Sequence, residues 1–404
     1  MSWSALQRFV RRLSGPVSHL VAFYAALVAV FTLLRLMRVS GFWLIDLANT
    51  FAPYWYMPLA LTFPLSIIVA RQGTALSRLG KRRPRGPQPL GGSEKAYRAA
   101  SIGHSRSLPE HGGAPRKKAK RHRRALLPQL RERWGMLLQI ALILVGLLWF
   151  AWPGRYKAIE PPQGETFSLV TFNVQGSNAE LDMATDWLLS AGADVIVLQE
   201  TAEGYDHRLQ RLYDIYAHED HIEGSVRIFS RYAILERQIL SIEGEPGRLA
   251  LRLLLDQNGR ELAVYAVHLV LPQANWHPST HFALDMLLRY NETRRNAQAR
   301  RLLQILGQES KPYLVAGDFN MSDSSLIYDE IAARINDAWR DAGTGAGRTW
   351  PVAEIIGLPR IVHPFLRIDY IWYSDELRTV SASIGGPIGS DHLPVKAVFE
   401  WASD

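Results

Sequence analysis

Three long apolar runs stand before any alternating pattern in this chain, and each has a different texture. Val17 to Leu34 carries no formal charge, follows Arg8, Arg11 and Arg12, and is closed by Arg35 and Arg38. That length is what a helix needs to cross a bilayer core. No small-residue cleavage site follows it, so the reading is an anchor and not a removed leader. From Gly41 to Ala70 a second apolar stretch is interrupted by Asp46, Pro53, Pro58 and Pro64, which places its spanning part at about 52–70. Trp134 to Trp152 is charge-free with tryptophans at both ends, as residues at a membrane interface are. About three transmembrane helices are therefore expected: 17–39, 52–70 and 134–152.

Beyond Thr166 the period changes. Phe167–Asn173 and Asp194–Leu198 are short buried-strand runs with an amphipathic helix near Ala179–Ser190 between them. Arg248–Leu255 and Glu261–Leu269 flank an Asn258-Gly259 turn, a hairpin signal. Thr293–Leu306 reads as a helix with Leu302, Leu303 and Ile305 inward and its arginines outward. Tyr313–Ala316, Ile368–Tyr373 and Val395–Glu400 complete the strands. Helices interleave with strands and hairpins, so an α/β fold with mixed sheets is expected.

Charge divides the chain more sharply than its total of +8 suggests. Residues 71–133 hold 18 Lys/Arg against three acids and lack apolar periodicity, so they read as a disordered basic linker that stays cytoplasmic. Within it Arg116–Arg124 offers contact with anionic lipid. Residues 134–404 hold 23 basic against 34 acidic side chains, a poor composition for nonspecific polyanion binding. With the linker inside, the third span carries residues 160–404 to the extracytoplasmic side. Arg35 and Arg38 would then also lie outside, against the usual bias. The chain has no cysteine, which excludes thiolate catalysis and disulfides.

Each strand of the C-terminal part ends in a polar side chain of one character. The ends are Thr171-Phe172-Asn173, Leu198-Gln199-Glu200, Val267-His268-Leu269, Gly317-Asp318-Phe319-Asn320, Arg367-Ile368-Asp369 and Ser390-Asp391-His392. Singly these are ordinary caps, turns or core histidines. Together they supply hard oxygen ligands of the kind that hold Mg²⁺ or Mn²⁺, and histidines that can move a proton.

This ordered set, running on through Tyr370-Ile371-Trp372 and Leu393-Pro394-Val395, resembles the endonuclease/exonuclease/phosphatase superfamily over roughly Glu165 to Trp401. The resemblance implies a four-layer α/β sandwich of two mixed sheets and a metal-dependent phosphoester hydrolase. It implies Glu200 and Asn173 as metal ligands with Asp391 supporting them. Asp318 and Asn320 would handle the attacking water and the scissile phosphate. His392 would be general base or phosphate contact, oriented by Asp369, and His268 an acid on the leaving-group side. Ser230-Arg231 falls where relatives carry a Ser-Arg pair near the phosphate.

The loop Gln273–His281 is a further candidate for substrate or membrane contact. Expected partners are a phosphoester substrate, either nucleic acid or a lipid phosphodiester, and the bilayer itself; no obligate protein partner is implied. The alternative is a non-catalytic, membrane-anchored binding module on the same fold.

Overall fold

The computed structural model describes residues 3–79, 134–150, 161–202, 204–243, 249–272, 290–352 and 364–402. The chain forms two compact units, one of residues 1–30 and 55–148, the other of residues 31–54 and 149–404.

The first unit is helical. It takes most of α1 (Trp3–Leu36), of α3 (Ala52–Leu79) and of α4 (Trp134–Phe150). Tyr24 donates its hydroxyl to the Trp55 carbonyl at 2.8 Å. Gly146 lets α4 approach α3 closely, since a Cβ there would lie 2.7 Å from the Tyr56 side chain. Leu20, Phe23, Leu27, Leu61, Leu144 and Leu147 are exposed.

The expectation of about three spans is corrected here. Among the described residues one helix, His19–Leu36, is long and apolar enough to cross a membrane. Trp134–Phe150 is apolar but shorter. The expected span at 52–70 is helical, yet Pro58, Pro64, Thr62 and Ser66 dilute its apolar run. Residues 71–79, expected to open the linker, continue that helix. The rest of the basic linker, 80–133 with its Arg116–Arg124 cluster, lies outside the described residues, as does 273–281.

The second unit is built on two six-stranded mixed sheets. The first runs β11(Leu377–Ile384), β12(Val395–Trp401), β1(Thr166–Asn173), β2(Val195–Gln199), β4(Val226–Ser230), β3(His218–Ile222). The second runs β5(Ala233–Ser241), β6(Leu249–Gln257), β7(Arg260–His268), β8(Tyr313–Asp318), β10(Asp369–Tyr373), β9(Asn336–Asp337). β1 and β2 are parallel, as are β7 and β8; the other pairs are antiparallel.

Alternation along these strands sends Leu169, Val197, Leu253, Val264, Ile371 and Ala397 into one buried layer between the sheets. The opposite faces are covered by helices. α5 (Leu181–Ala191) and the single turn α6 (Gln210–Tyr213) cover the first sheet, with Leu188 and Leu212 packed on Val170, Phe172 and Ile196. α7 (Thr293–Leu306) and α8 (Leu326–Ala332) cover the second through Leu302, Leu303 and Ile331. The result is helix, sheet, sheet, helix.

The chain from 31 to 54 packs on this sandwich. α2 (Trp43–Thr50) buries Asp46, Leu47, Asn49 and Thr50. Thr50 Oγ1 lies 2.5 Å from Tyr290 Oη and donates to Glu292 Oε1 at 3.0 Å. Arg35 Nη1 donates to the Ser324 carbonyl at 2.6 Å, and Tyr54 Oη to that of Phe365 at 2.6 Å. The segment lies outside the stretch on which the family resemblance rests, and its polar groups find partners in the sandwich.

Candidate active site

Strand register gathers the polar ends. In the second sheet, His268 on β7 stands opposite Asp318 on β8, and Asp318 opposite Asp369 on β10. In the first sheet Asn173 is level with Gln199, so Glu200 follows immediately beyond it. Three neighbouring strands thus present His268, Asp318 and Asp369 in one row, and the packed sheets bring Asn173 and Glu200 to meet it.

Two glycine-like backbones complete this. Glu200 has φ 55° and Asn320 φ 49°, left-handed conformations that non-glycine residues adopt at a cost and that are concentrated at functional sites. Gly317 is needed for packing: a Cβ there would lie 1.9 Å from the Val267 carbonyl oxygen.

Asp318 is the hub. Its Oδ2 accepts from Asn173 Nδ2 at 3.0 Å and from Asn320 Nδ2 at 3.3 Å, while Oδ1 accepts from the Asn320 amide at 2.8 Å. The Nε2 atoms of His268 and His392 both lie 3.7 Å from that Oδ2. Asn173 also donates to Glu200 Oε1 at 3.0 Å, and His268 Nε2 is 3.8 Å from the same oxygen. His392 Nδ1 faces Asp369 Oδ2 at 2.9 Å. Seven of the eight expected residues are linked in this way. Asp391 stands at the margin, 4.0 Å from His392 Nε2, with its Oδ2 accepting from the Trp350 indole at 3.1 Å.

The electrostatics follow from burial and crowding. Burial pushes the Asp318 carboxyl up to about 7; Asp369 adds to this and His392 opposes it. Burial disfavours the His392 imidazolium, but Asp369 and Asp318 outweigh it and raise its pKa to about 10. Burial likewise opposes ionisation of Glu200, yet the Asn173 hydrogen bond and His268 hold its pKa below the usual value.

A divalent cation fits this donor set. Two buried carboxylates, Asp318 and Asp369, and two half-buried ones, Glu200 and Asp391, face two histidines, and buried carboxylates are paired or coordinate metal. Asp318, Asp369 and His392 place ligand atoms within 4.8 Å of one another. Because His392 and Asp369 already engage each other, the carboxylate oxygens of Glu200 and Asp318 are the better match to a hard cation; Asn173 turns its Nδ2 to both, while its Oδ1 accepts from the Gln175 amide.

The match to the Endonuclease/Exonuclease/phosphatase family model spans residues 170–392, from within β1 through His392. The chain belongs to that family. No curated protein matches it. Among solved structures it is similar to the endonuclease/exonuclease/phosphatase from Bacteroides vulgatus, with 20% identity, a TM-score of 0.47, and coverage of 59% of this chain and 100% of that one. It is also similar to truncated TDP2 from Caenorhabditis elegans, with 18% identity, a TM-score of 0.45, and coverage of 59% and 98%. A third is TDP2 from D. rerio complexed with single strand DNA product, at 20% identity, TM-score 0.46, and coverage of 59% and 100%.

In this family member one expected contact is misplaced. Ser230-Arg231 lies at the far end of the first sheet, where Ser230 pairs with Val195, while the site end of β4 is Val226, level with Gln199. Arg231 serves Asp194 and the Tyr216 ring instead. The arginines of α7 are also not all outward. Arg295 is fully buried, donating to the Asn320 carbonyl at 2.7 Å and pairing with Glu292 at 2.9 Å, while Gln298 accepts from the Val270 amide at 2.8 Å. Both fix the loops that carry Asn320 and follow His268.

Sequence reasoning did not single out Ser390, Thr349 or Trp350. Ser390 Oγ donates to the Asn173 carbonyl at 2.7 Å and accepts from the His392 amide at 3.0 Å, tying the two sequence ends of the site together. Its place beside Asp391 was the available signal. Thr349 Oγ1 accepts from the Asp369 amide at 3.4 Å, and no local pattern marks it or Trp350.

Proposed function

We propose that the protein is a membrane-anchored, divalent-metal-dependent phosphodiesterase with its catalytic domain on the extracytoplasmic side. The observation that carries this reading is the linked cluster of Asn173, Glu200, His268, Asp318, Asn320, Asp369 and His392, drawn from both sheets.

Glu200 and Asp318 would hold Mg²⁺ or Mn²⁺, with Asn173 joining them through Oδ1 once its amide turns, and Asp391 would support that side. Such a cation neutralises charge on the phosphoester oxygens and so eases attack on them. The residues then divide the remaining work. Asp318, at the centre of the cluster, is placed to take a proton from a water held beside it. Asn320, pinned through its Nδ2 to the Leu269 carbonyl at 2.9 Å, keeps Asp318 in place. His392, its pKa at about 10, presents a donor from Nε2 toward a phosphate oxygen, and Asp369 holds its ring. The phosphate-contact role therefore suits His392 better than the general-base role, which passes to Asp318. His268, between Glu200 and Asp318, is placed to donate to the leaving oxygen.

The membrane reading rests on α1. Arg35 reaches Ser324, and Arg38 Nη2 lies 4.0 Å from Glu330 Oε1, so the C-terminal end of α1 sits against the sandwich. These two arginines run against the cytoplasmic bias of basic residues if that end faces outward, and their partners in the sandwich account for them.

Substrate class is tested with the full chain in detergent on a panel holding single- and double-stranded DNA, RNA, sphingomyelin, phosphatidylinositol phosphates and a chromogenic diester. Each is assayed with Mg²⁺, Mn²⁺ or EDTA. Metal-dependent cleavage of one class supports the reading; a folded protein that binds metal and cleaves nothing turns it to the binding module. Because the chain lacks cysteine, Ser383→Cys on the exposed face of β11 reports sidedness. Labelling by an impermeant maleimide on intact cells is expected, and protection there would reverse the topology.

A further inference from the structure

A cavity of about 120 Å³ opens beside the catalytic cluster, several times the ~15 Å³ that seats one water. Its walls come from the loops that carry catalytic residues and from the chain next to the anchor. Ser322 follows Asn320 by two positions, Arg367 precedes Asp369 by two, and Tyr54 follows α2. Arg340, Arg348 and Phe365 complete the frame.

Two of the three arginines are not spent on carboxylates, and the third keeps one donor unspent. Arg340 lies over the Tyr328 ring at 4.4 Å and Arg348 over the Tyr54 ring at 5.6 Å, and among the described residues neither is in an ion pair. A guanidinium held by its face keeps the N–H edge open, and that edge matches a phosphate or carboxylate two donors at a time. Arg367 is buried and fixed by Asp337, with Nη1 at 3.0 Å and Nη2 at 2.8 Å from its two oxygens. Among the described residues its Nε has no hydrogen-bond partner, and Asp323 Oδ2 stands 3.7 Å from it. An unmade donor on a buried guanidinium is unusual enough to mark a place where something else binds. Tyr54 and Phe365, packed edge to face at 6.4 Å, supply an apolar wall for the rest of a ligand.

We propose that this cavity binds a second phosphate group of the substrate, so that the preferred substrate is a phosphoester carrying another phosphate near the one cleaved. This rests on reading the neighbouring cluster as a phosphoester hydrolase site. The cavity accepts the phosphate from a lipid headgroup or from a soluble molecule by the same chemistry, and the test separates the two.

The full chain is reconstituted in phosphatidylcholine nanodiscs, with or without phosphatidic acid, and binding of inorganic phosphate is measured in EDTA. Arg348→Gln, on an exposed side chain outside the catalytic cluster, is expected to weaken phosphate binding ~10-fold, the loss of one good charge-assisted contact. Arg348→Lys, which keeps charge but not the fork, falls between. Competition by phosphatidic acid in the disc points to the lipid source, and its failure to compete points to the soluble one. Equal affinities for the wild type and Arg348→Gln overturn the proposal. Turnover of a chromogenic diester with a single phosphate is followed in parallel in the wild type. Absence of turnover in the wild type strikes the hydrolase reading alone, because the binding comparison does not depend on it.

Discussion

His392 and Asp369 form a buried pair, Nδ1 to Oδ2 at 2.9 Å, although 22 residues and an entire antiparallel strand separate them in the chain. The carboxylate fixes the ring so that Nε2 points toward Asp318. Asp369→Asn keeps the shape but removes the charge that holds the imidazolium. Turnover is expected to fall ~10²- to 10⁴-fold, the range for losing a positioned proton-transfer or charge-holding group. Circular dichroism should show an unchanged fold.

Asp318 is costly to the fold that holds it. Its raised pKa, about 7, means that the folded state favours the protonated carboxyl. That stabilisation is complete below the ordinary value near 4 and is lost as pH rises through 7. At pH 8 the ionised group works against folding, so Asp318→Asn should abolish activity yet raise stability by ~1 kcal/mol or more. Thermal melts at pH 8 in EDTA check this; a lower melting temperature for the variant would contradict it.

Gly317 directly precedes Asp318 on β8 and stands level with Val267 on β7, with φ 153°. A methyl there meets the Val267 carbonyl, which belongs to the strand ladder and cannot swing away. Gly317→Ala is expected to destabilise the domain by ~3 kcal/mol or more, as backbone clashes in packed sheets do. Urea denaturation measures it.

Asp46 gives the segment next to α1 a pH response. Its burial, aided by Glu292, pushes its pKa up to about 6, although the Gly41 amide and Arg295 oppose the shift. A carboxyl raised in the folded state stabilises below its unfolded pKa and loses that contribution as pH rises through about 6. Docking of this segment should therefore be firmer at pH 5 than at pH 8, by ~1–2 kcal/mol after allowance for solvent screening. The difference is read by comparing wild type with Asp46→Asn, in which it should vanish.

How much of this could be read from the chain differs by residue. Asn173, Glu200, His268 and Asp318 were legible because each ends an apolar run whose period fixes a strand, and Asp369 because it opens one; strand ends in an α/β fold converge. The Asn258-Gly259 hairpin was legible for a local reason: the turn needs the two positive φ values, 53° and 90°, that those residues tolerate. The edge strands β3, β5 and β11 were not, since His218–Ile222 and Ala233–Ser241 carry polar and half-exposed positions without a clean alternation. Ser230-Arg231 misled because a dipeptide does not say which end of its strand it occupies. The Arg35–Ser324 contact spans 289 residues, and no local pattern encodes such a partner.

The most direct test of the central claim is hydrolysis of a chromogenic phosphodiester by the full chain in detergent with Mg²⁺. Alongside run an EDTA control and the variants Glu200→Ala and His392→Ala. The account predicts metal-dependent turnover in the wild type, falling at least ~10²-fold in each variant with the fold retained. Turnover that survives EDTA or both substitutions would contradict it.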